Sequence, residues 1–160
     1  MKKRAFIVSA IASAALCSAG LAMAQDKFKI GLILPMTGPF ASTGKQIEAA
    51  ARLYIAQNGD TVGGKKVELI VKDDTSAPDV TKRIAQELVV NDKVNVLAGF
   101  GLTPLALATA PIATQSKTPL VVMAAATSSI TEASPFIIRT SFTLPQASVS
   151  MADWAPNHGI

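Results

Sequence analysis

The 160-residue chain holds one cysteine and one histidine. The cysteine, Cys17, lies in an N-terminal segment that reads as a leader, so the remainder has no thiol. A disulfide scaffold is thereby excluded there, and an oxidising compartment poses no hazard. With His158 as the single histidine, no His/Cys cluster exists to hold a metal, and none is expected. Nucleophilic catalysis of the Ser-His-Asp type needs a base beside its nucleophile. His158 sits instead in Asn157-His158-Gly159, a helix-stop pattern, where it reads as a solvated cation at a helix C-terminus. An enzyme is therefore not expected, nor is a cofactor.

Other absences narrow the field further. There is no Gly-Lys-Ser/Thr, so no P-loop. The stretch GFGLTP (99–104) begins like a dinucleotide fingerprint, but Pro104 stands where the third glycine is needed. The longest apolar run near the start, AFIVSAIASAAL (5–16), falls short of the roughly 18–20 residues that span a bilayer. Lys2, Lys3 and Arg4 precede it and Ala22-Met23-Ala24 follow it, the three-part pattern of a secretory signal peptide over residues 1–24, cleaved before Gln25. Export across the inner membrane is therefore expected. Without those three cations, twelve basic residues face eleven acidic ones, near +1. No basic patch argues for nucleic acid.

What is present is an alternation of apolar, β-branched runs and helical patterns. FKIGLIL (28–34), KVELIVKD (66–73), VNVLAGF (94–100), PLVVMAA (119–125) and FIIRTSF (136–142) read as strands. Between them, GKQIEAAARLYIAQNG, PDVTKRIAQELVVND and PLALATAPIATQS read as helices, and PQASVSMADWAPNHG opens a further one at Pro145. Continuous rather than alternating apolar strands mean burial on both faces. Short connections then imply right-handed crossovers and an α/β fold: an open, mostly parallel, Rossmann-like sheet with helices on both faces.

In such sheets ligands bind beyond the carboxyl ends of the strands. The loops there read PMTGPFASTG (35–44), GFGLTP (99–104) and AAATSS (124–129). They are built of Gly, Ala, Ser and Thr, which offer hydroxyls and backbone N–H groups but little reactivity. Thr103-Pro104 reads as an N-cap and first-turn proline, with a helix N-terminus that could receive a carboxylate. Phe40 either stacks on a ligand or fills its loop. Asp73-Asp74 reads first as a pair of turn and cap residues. Arg139 reads as a ligand's charge partner or a structural pair at the sheet edge.

IGLILPMTGPFASTGKQIEAAARLYI, VELIVKDDTSAPDVTKRIAQELV, VNVLAGFGLTPLALATAPIA and PLVVMAAATSSIT, in this order behind a signal peptide, carry a family likeness. The chain resembles the periplasmic solute-binding proteins of ABC transporters, of the leucine/isoleucine/valine-binding type. The resemblance implies two α/β lobes closing on a ligand, of which residues 25–160 match the N-terminal lobe. It implies ABC permease subunits as partners of the complete protein and a small-molecule ligand carrying a carboxylate. Thr103, or Leu102 through its backbone, matches the place that grips the carboxylate. Ala125, through its carbonyl, and Thr127 match the place that grips α-amino and carboxylate groups. Thr43 stands where some members carry tryptophan, with Phe40 three residues earlier. Members bind aliphatic amino acids, aromatic acids, amides or urea, and the ligand stays open among these. A periplasmic sensor of the same fold is the alternative.

Overall fold

The computed structural model describes residues 27–160. The signal-peptide assignment, with Cys17, lies outside them. Strand β1 (Phe28–Leu34) leads into helix α1 (Ala41–Asn58), then a hairpin of β2 (Thr61–Val62) and β3 (Lys65–Asp73). Helix α2 (Pro78–Val90), β4 (Val96–Gly99), α3 (Thr103–Ser116) and β5 (Leu120–Val122) follow. A short 3₁₀ turn (Ser128–Glu132), β6 (Ile137–Arg139), α4 (Leu144–Trp154) and a last 3₁₀ turn (Ala155–His158) complete the described chain.

The sheet order is β2-β3-β1-β4-β5-β6, and only the β2–β3 hairpin is antiparallel. The expected open α/β sheet is thus present. The hairpin strand β2 escapes the sequence reading, and the strand read over 136–142 shrinks to Ile137–Arg139. From β1 the chain crosses to β3 on one side, then returns through α2 to β4 on the other. The direction of winding reverses between β1 and β4, the switch point beyond whose carboxyl ends such sheets place their ligand crevice.

One face of the sheet is thickly covered. Ile84, Ala85 and Leu88 of α2 and Leu105, Ala106, Ala110 and Ala113 of α3 pack with Ile33, Leu97, Leu120 and Val122 in one buried cluster. The other face carries α1, whose Ile47 packs near Leu32 and Leu34. Cover there thins along one cross-strand row. Leu32 pairs with Ala98, Ala98 with Val121 and Val121 with Ile138. Leu32 is 2% exposed, Ala98 7%, Val121 partly exposed and Ile138 57%. Helix α4 has no buried residue.

Candidate functional site

The carboxyl edge is set by close backbone approach. At Gly44, in the first turns of α1, a Cβ would lie 2.1 Å from the Pro35 carbonyl oxygen, so glycine alone lets α1 sit against the end of β1. Helix α1 starts at Ala41, three residues ahead of the glycine that opened the expected pattern. The Phe40 carbonyl accepts the N–H groups of Thr43 and Gly44, which turns the chain early. Phe40 is left 45% exposed and Thr43 partly buried.

Asp73, at the end of β3, holds that first loop from the side. Its Oδ1 accepts the N–H groups of Met36 and Thr75, both at 2.9 Å, and its Oδ2 accepts the Thr37 hydroxyl at 2.6 Å. Desolvation pushes this carboxyl upward, but the bonds from Thr37, Thr75 and Met36 outweigh it and hold the group below its ordinary range. Asp74 is buried. Its Oδ1 accepts the Ser76 N–H at 2.8 Å, while Oδ2 has no partner. Burial raises its carboxyl, against the Ser76 bond and with a further push from the Asp73 charge. The pair makes turn bonds of the kind its sequence suggests.

The loop after β4 turns on Gly99 and Phe100. The Phe100 side chain is fully buried, its N–H donates to the Ile33 carbonyl, and its carbonyl accepts the Ala125 N–H. The GFG motif is thus a splice that joins the ends of β1, β4 and β5. Thr103 does not cap α3, contrary to the sequence reading. The N-cap is Leu102, in extended conformation, whose carbonyl accepts from Leu105 and Ala106, and whose side chain packs against the core cluster. Thr103 and Pro104 occupy the first helical turn. The Thr103 hydroxyl is engaged elsewhere, 2.8 Å from the Thr127 hydroxyl. A long-range contact between residues 24 positions apart has outcompeted the local cap.

That contact brings two of the anticipated residues together, one from the loop after β4 and one from the loop after β5. Two hydroxyls bonded to each other use one hydrogen internally and leave the other to donate outward. Ala125 is buried, and its carbonyl accepts Arg139 Nη1 at 3.1 Å. Arg139 Nη2 donates to the Thr127 carbonyl, and the Leu144 N–H donates to the Ala126 carbonyl at 2.8 Å. Three consecutive carbonyls are therefore occupied. Among the described residues, the N–H groups of Ala126, Thr127 and Ser128 have no acceptor, and no carboxylate pairs with Arg139. The guanidinium forms no structural ion pair at the sheet edge; its observed bonds go to loop backbone. The β5 loop consequently offers donors, backed by an unneutralised cation. Phe40, Thr43 and Leu102 are not bonded to the Thr103–Thr127 pair. His158 lies on the last 3₁₀ turn, stacked on Trp154 with ring centroids 4.1 Å apart.

Comparison with known proteins agrees with this architecture. The family described as "Periplasmic binding protein" matches residues 27–160. "Leu/Ile/Val-binding protein homolog 6" of Brucella abortus is 45% identical over the whole chain, which spans 40% of that relative's length. A solute-binding protein of an ABC transporter from Rhodopseudomonas palustris BisB5, solved with 3,4-dihydroxybenzoic acid, is 66% identical with a TM-score of 0.81; the match covers 84% of this chain and 37% of that one. A second, from Rhodopseudomonas palustris HaA2 with p-hydroxybenzoic acid, is 46% identical with a TM-score of 0.80 and the same coverage. A leucine-binding protein from Thermotoga maritima is 31% identical with a TM-score of 0.74, covering 79% of this chain and 36% of its own. With its sheet and its sequence in agreement, the chain belongs to the periplasmic binding protein family.

Proposed function

We propose that this chain is the N-terminal lobe of the substrate-binding component of an ABC importer, exported to the periplasm, and that its ligand is a small aromatic carboxylate. The observation that carries the reading is the Thr103–Thr127 hydroxyl pair, 2.8 Å apart and joining the loops after β4 and β5. In this reading the free hydroxyl hydrogen and the unpaired N–H groups of the β5 loop receive the carboxylate. Phe40, exposed at the first loop, offers a ring face. Thr43 and Leu102 shape the rim, and Ala125 holds the loop through its backbone. Relatives at 66% and 46% identity, solved with hydroxylated benzoic acids, support the aromatic class.

A second lobe is part of the proposal. One lobe gives half a cleft, and ligands of this size need most of their surface enclosed. The same closure would present the loaded protein to permease subunits. Titration calorimetry and thermal shift with benzoate, 4-hydroxybenzoate, 3,4-dihydroxybenzoate and leucine test this. The two-lobe protein is expected to bind a benzoate at micromolar Kd and to gain about 2–3 kcal/mol of stability at a hundredfold excess over Kd. Thr103→Ala and Thr127→Ala are each expected to weaken it about tenfold. Residues 27–160 alone should bind at least about a hundredfold more weakly. Stabilisation by leucine and by none of the benzoates would refute the aromatic class; no response to any of them would refute the binding role.

A further inference from the structure

The β5 loop poses a chemical question that its fold does not require. A loop meant to hold an α-amino acid must supply acceptors for the ammonium as well as donors for the carboxylate. Here three consecutive carbonyls, those of Ala125, Ala126 and Thr127, are spoken for. The Ala125 and Thr127 carbonyls each accept from the Arg139 guanidinium, and the carbonyl between them accepts the Leu144 N–H. A carbonyl has a second lone pair, but an ammonium reaching for either Arg139-bound oxygen would be brought close to a guanidinium. That cation cannot shed its proton to relieve the repulsion.

Its charge is also uncompensated. Arg139 is only partly exposed, and no carboxylate among the described residues forms an ion pair with it. Lys27, Arg52, Lys66 and Lys72, by contrast, each pair with an acid. Fixed to two carbonyls by its planar fork, the guanidinium cannot swing away as a lysine would. It also draws electron density through the two peptide groups it binds. Their N–H ends, on Ala126 and Ser128, become stronger donors.

We infer that Arg139 is a specificity-determining positioning residue: by occupying loop carbonyls and adding its charge it makes the β5 loop a donor-rich surface that accepts a carboxylic acid lacking an α-amino group and rejects an amino acid. The inference rests on the proposed ligand edge and gives it a mechanism of selection. Arg139 acts through the loop backbone and its field, behind the groups that touch the ligand.

The test uses the chain with its second lobe and three probes of similar size: 4-hydroxybenzoate, the neutral 4-hydroxybenzamide and L-phenylalanine. The wild type is expected to prefer the benzoate over the amide by about a hundredfold and over phenylalanine by more. Arg139→Gln should shrink the benzoate-to-amide ratio at least about tenfold. Arg139→Lys, which keeps the charge, should hold the ratio within about threefold of wild type even if all affinities fall. A purely structural role would lower every affinity together and leave the ratio untouched in Arg139→Gln, and that result overturns the inference. Should Arg139→Gln not fold, the wild type decides: equal binding of benzoate and amide, or tighter binding of phenylalanine, overturns it, while the expected ranking together with an unchanged ratio in Arg139→Lys supports it. A wild type that binds none of the probes defeats the functional reading, and this inference with it. Benzoate selectivity that survives in Arg139→Gln defeats this inference alone.

Discussion

Gly99 and Phe100 both take positive φ, +115° and +64°, yet only one of them is glycine. At Gly99 a Cβ would meet the Ile33 carbonyl oxygen at 2.1 Å, in addition to the backbone conformation. At Phe100 a left-handed backbone costs about 1–2 kcal/mol, and full burial of the ring offsets this with about 1.5–3 kcal/mol. Gly38 is the natural control, with φ +76° and nothing within 4 Å of where a Cβ would stand. Gly38→Ala is expected to cost about 1 kcal/mol and Gly99→Ala at least about 3 kcal/mol. Urea denaturation of the two variants measures the difference, and equal losses would contradict the splice assigned to Gly99.

Asp74 gives this scale its pH dependence. An unfolded aspartate titrates near 3.9, and burial lifts Asp74 above that in the folded chain. Between the two values the native state holds the extra proton, so the stability linked to this group is full at low pH and drains away as pH rises through the folded value. Asp73 acts in the opposite sense: its contribution stands above the unfolded value and is lost as pH falls through the lowered one. Asp74→Asn keeps an acceptor for the Ser76 N–H and removes the charge. Its Tm relative to wild type is therefore expected to climb from about pH 4 to 7. A difference that stays constant with pH would contradict the assignment.

Among the elements, α2 and α4 form a contrast. Pro78 in its first turn and the apolar Ile84 and Leu88 make α2 legible from the sequence, and those two apolar residues are buried as the spacing implies. Helix α4 has an equally clear start. The Thr143 side chain accepts the Gln146 N–H, and Gln146 Oε1 accepts the Thr143 N–H at 2.7 Å. Yet none of its residues is buried, so little of its stability comes from packing against the sheet. Thr143→Ala removes about 1 kcal/mol of capping. It is expected to speed amide exchange along α4 several-fold while leaving the Tm unchanged. A drop in Tm would show that α4 supports the sheet.

The same scale shows where legibility stops. Strands β1 and β4 announce themselves because burial on both faces demands unbroken apolar runs. The β2–β3 hairpin does not: Gly63-Gly64 marks its turn, but Thr61–Val62 is too short and too exposed to read as a strand. The loops flanking the crevice could be located from the strand order. Which partner each side chain chooses could not. Thr103 has a good local cap available and bonds to Thr127 instead, and Arg139 reaches two carbonyls 14 and 12 residues back. Local propensity carries no information about such partners, because three-dimensional proximity decides them.

Taken whole, the molecule has a heavy face and a light one. Helices α2 and α3 seal the first over β1, β4 and β5. On the second, α1 shields the middle of the sheet, and exposure rises from Leu32 to Ile138. Alongside α1 an apolar groove of about 250 Å³ runs past Ile30, Tyr54, Val67 and Leu69. The chain spans 40% of the length of its Brucella relative and 37% of each of the two Rhodopseudomonas proteins. The described sheet thus has one sealed face and one unevenly covered face.

Strand order carries a consequence of its own for how this sheet comes into being. The first strand made is the central one. β3 then adds to its one flank, β4 to the other, β5 to β4 and β6 to β5. Among the described residues, no main strand has to wait for a neighbour that lies further along. A polypeptide emerging N-terminus first can thus lay down its sheet from the centre outward, each new strand docking on an edge already in place, without leaving a gap to be filled from behind.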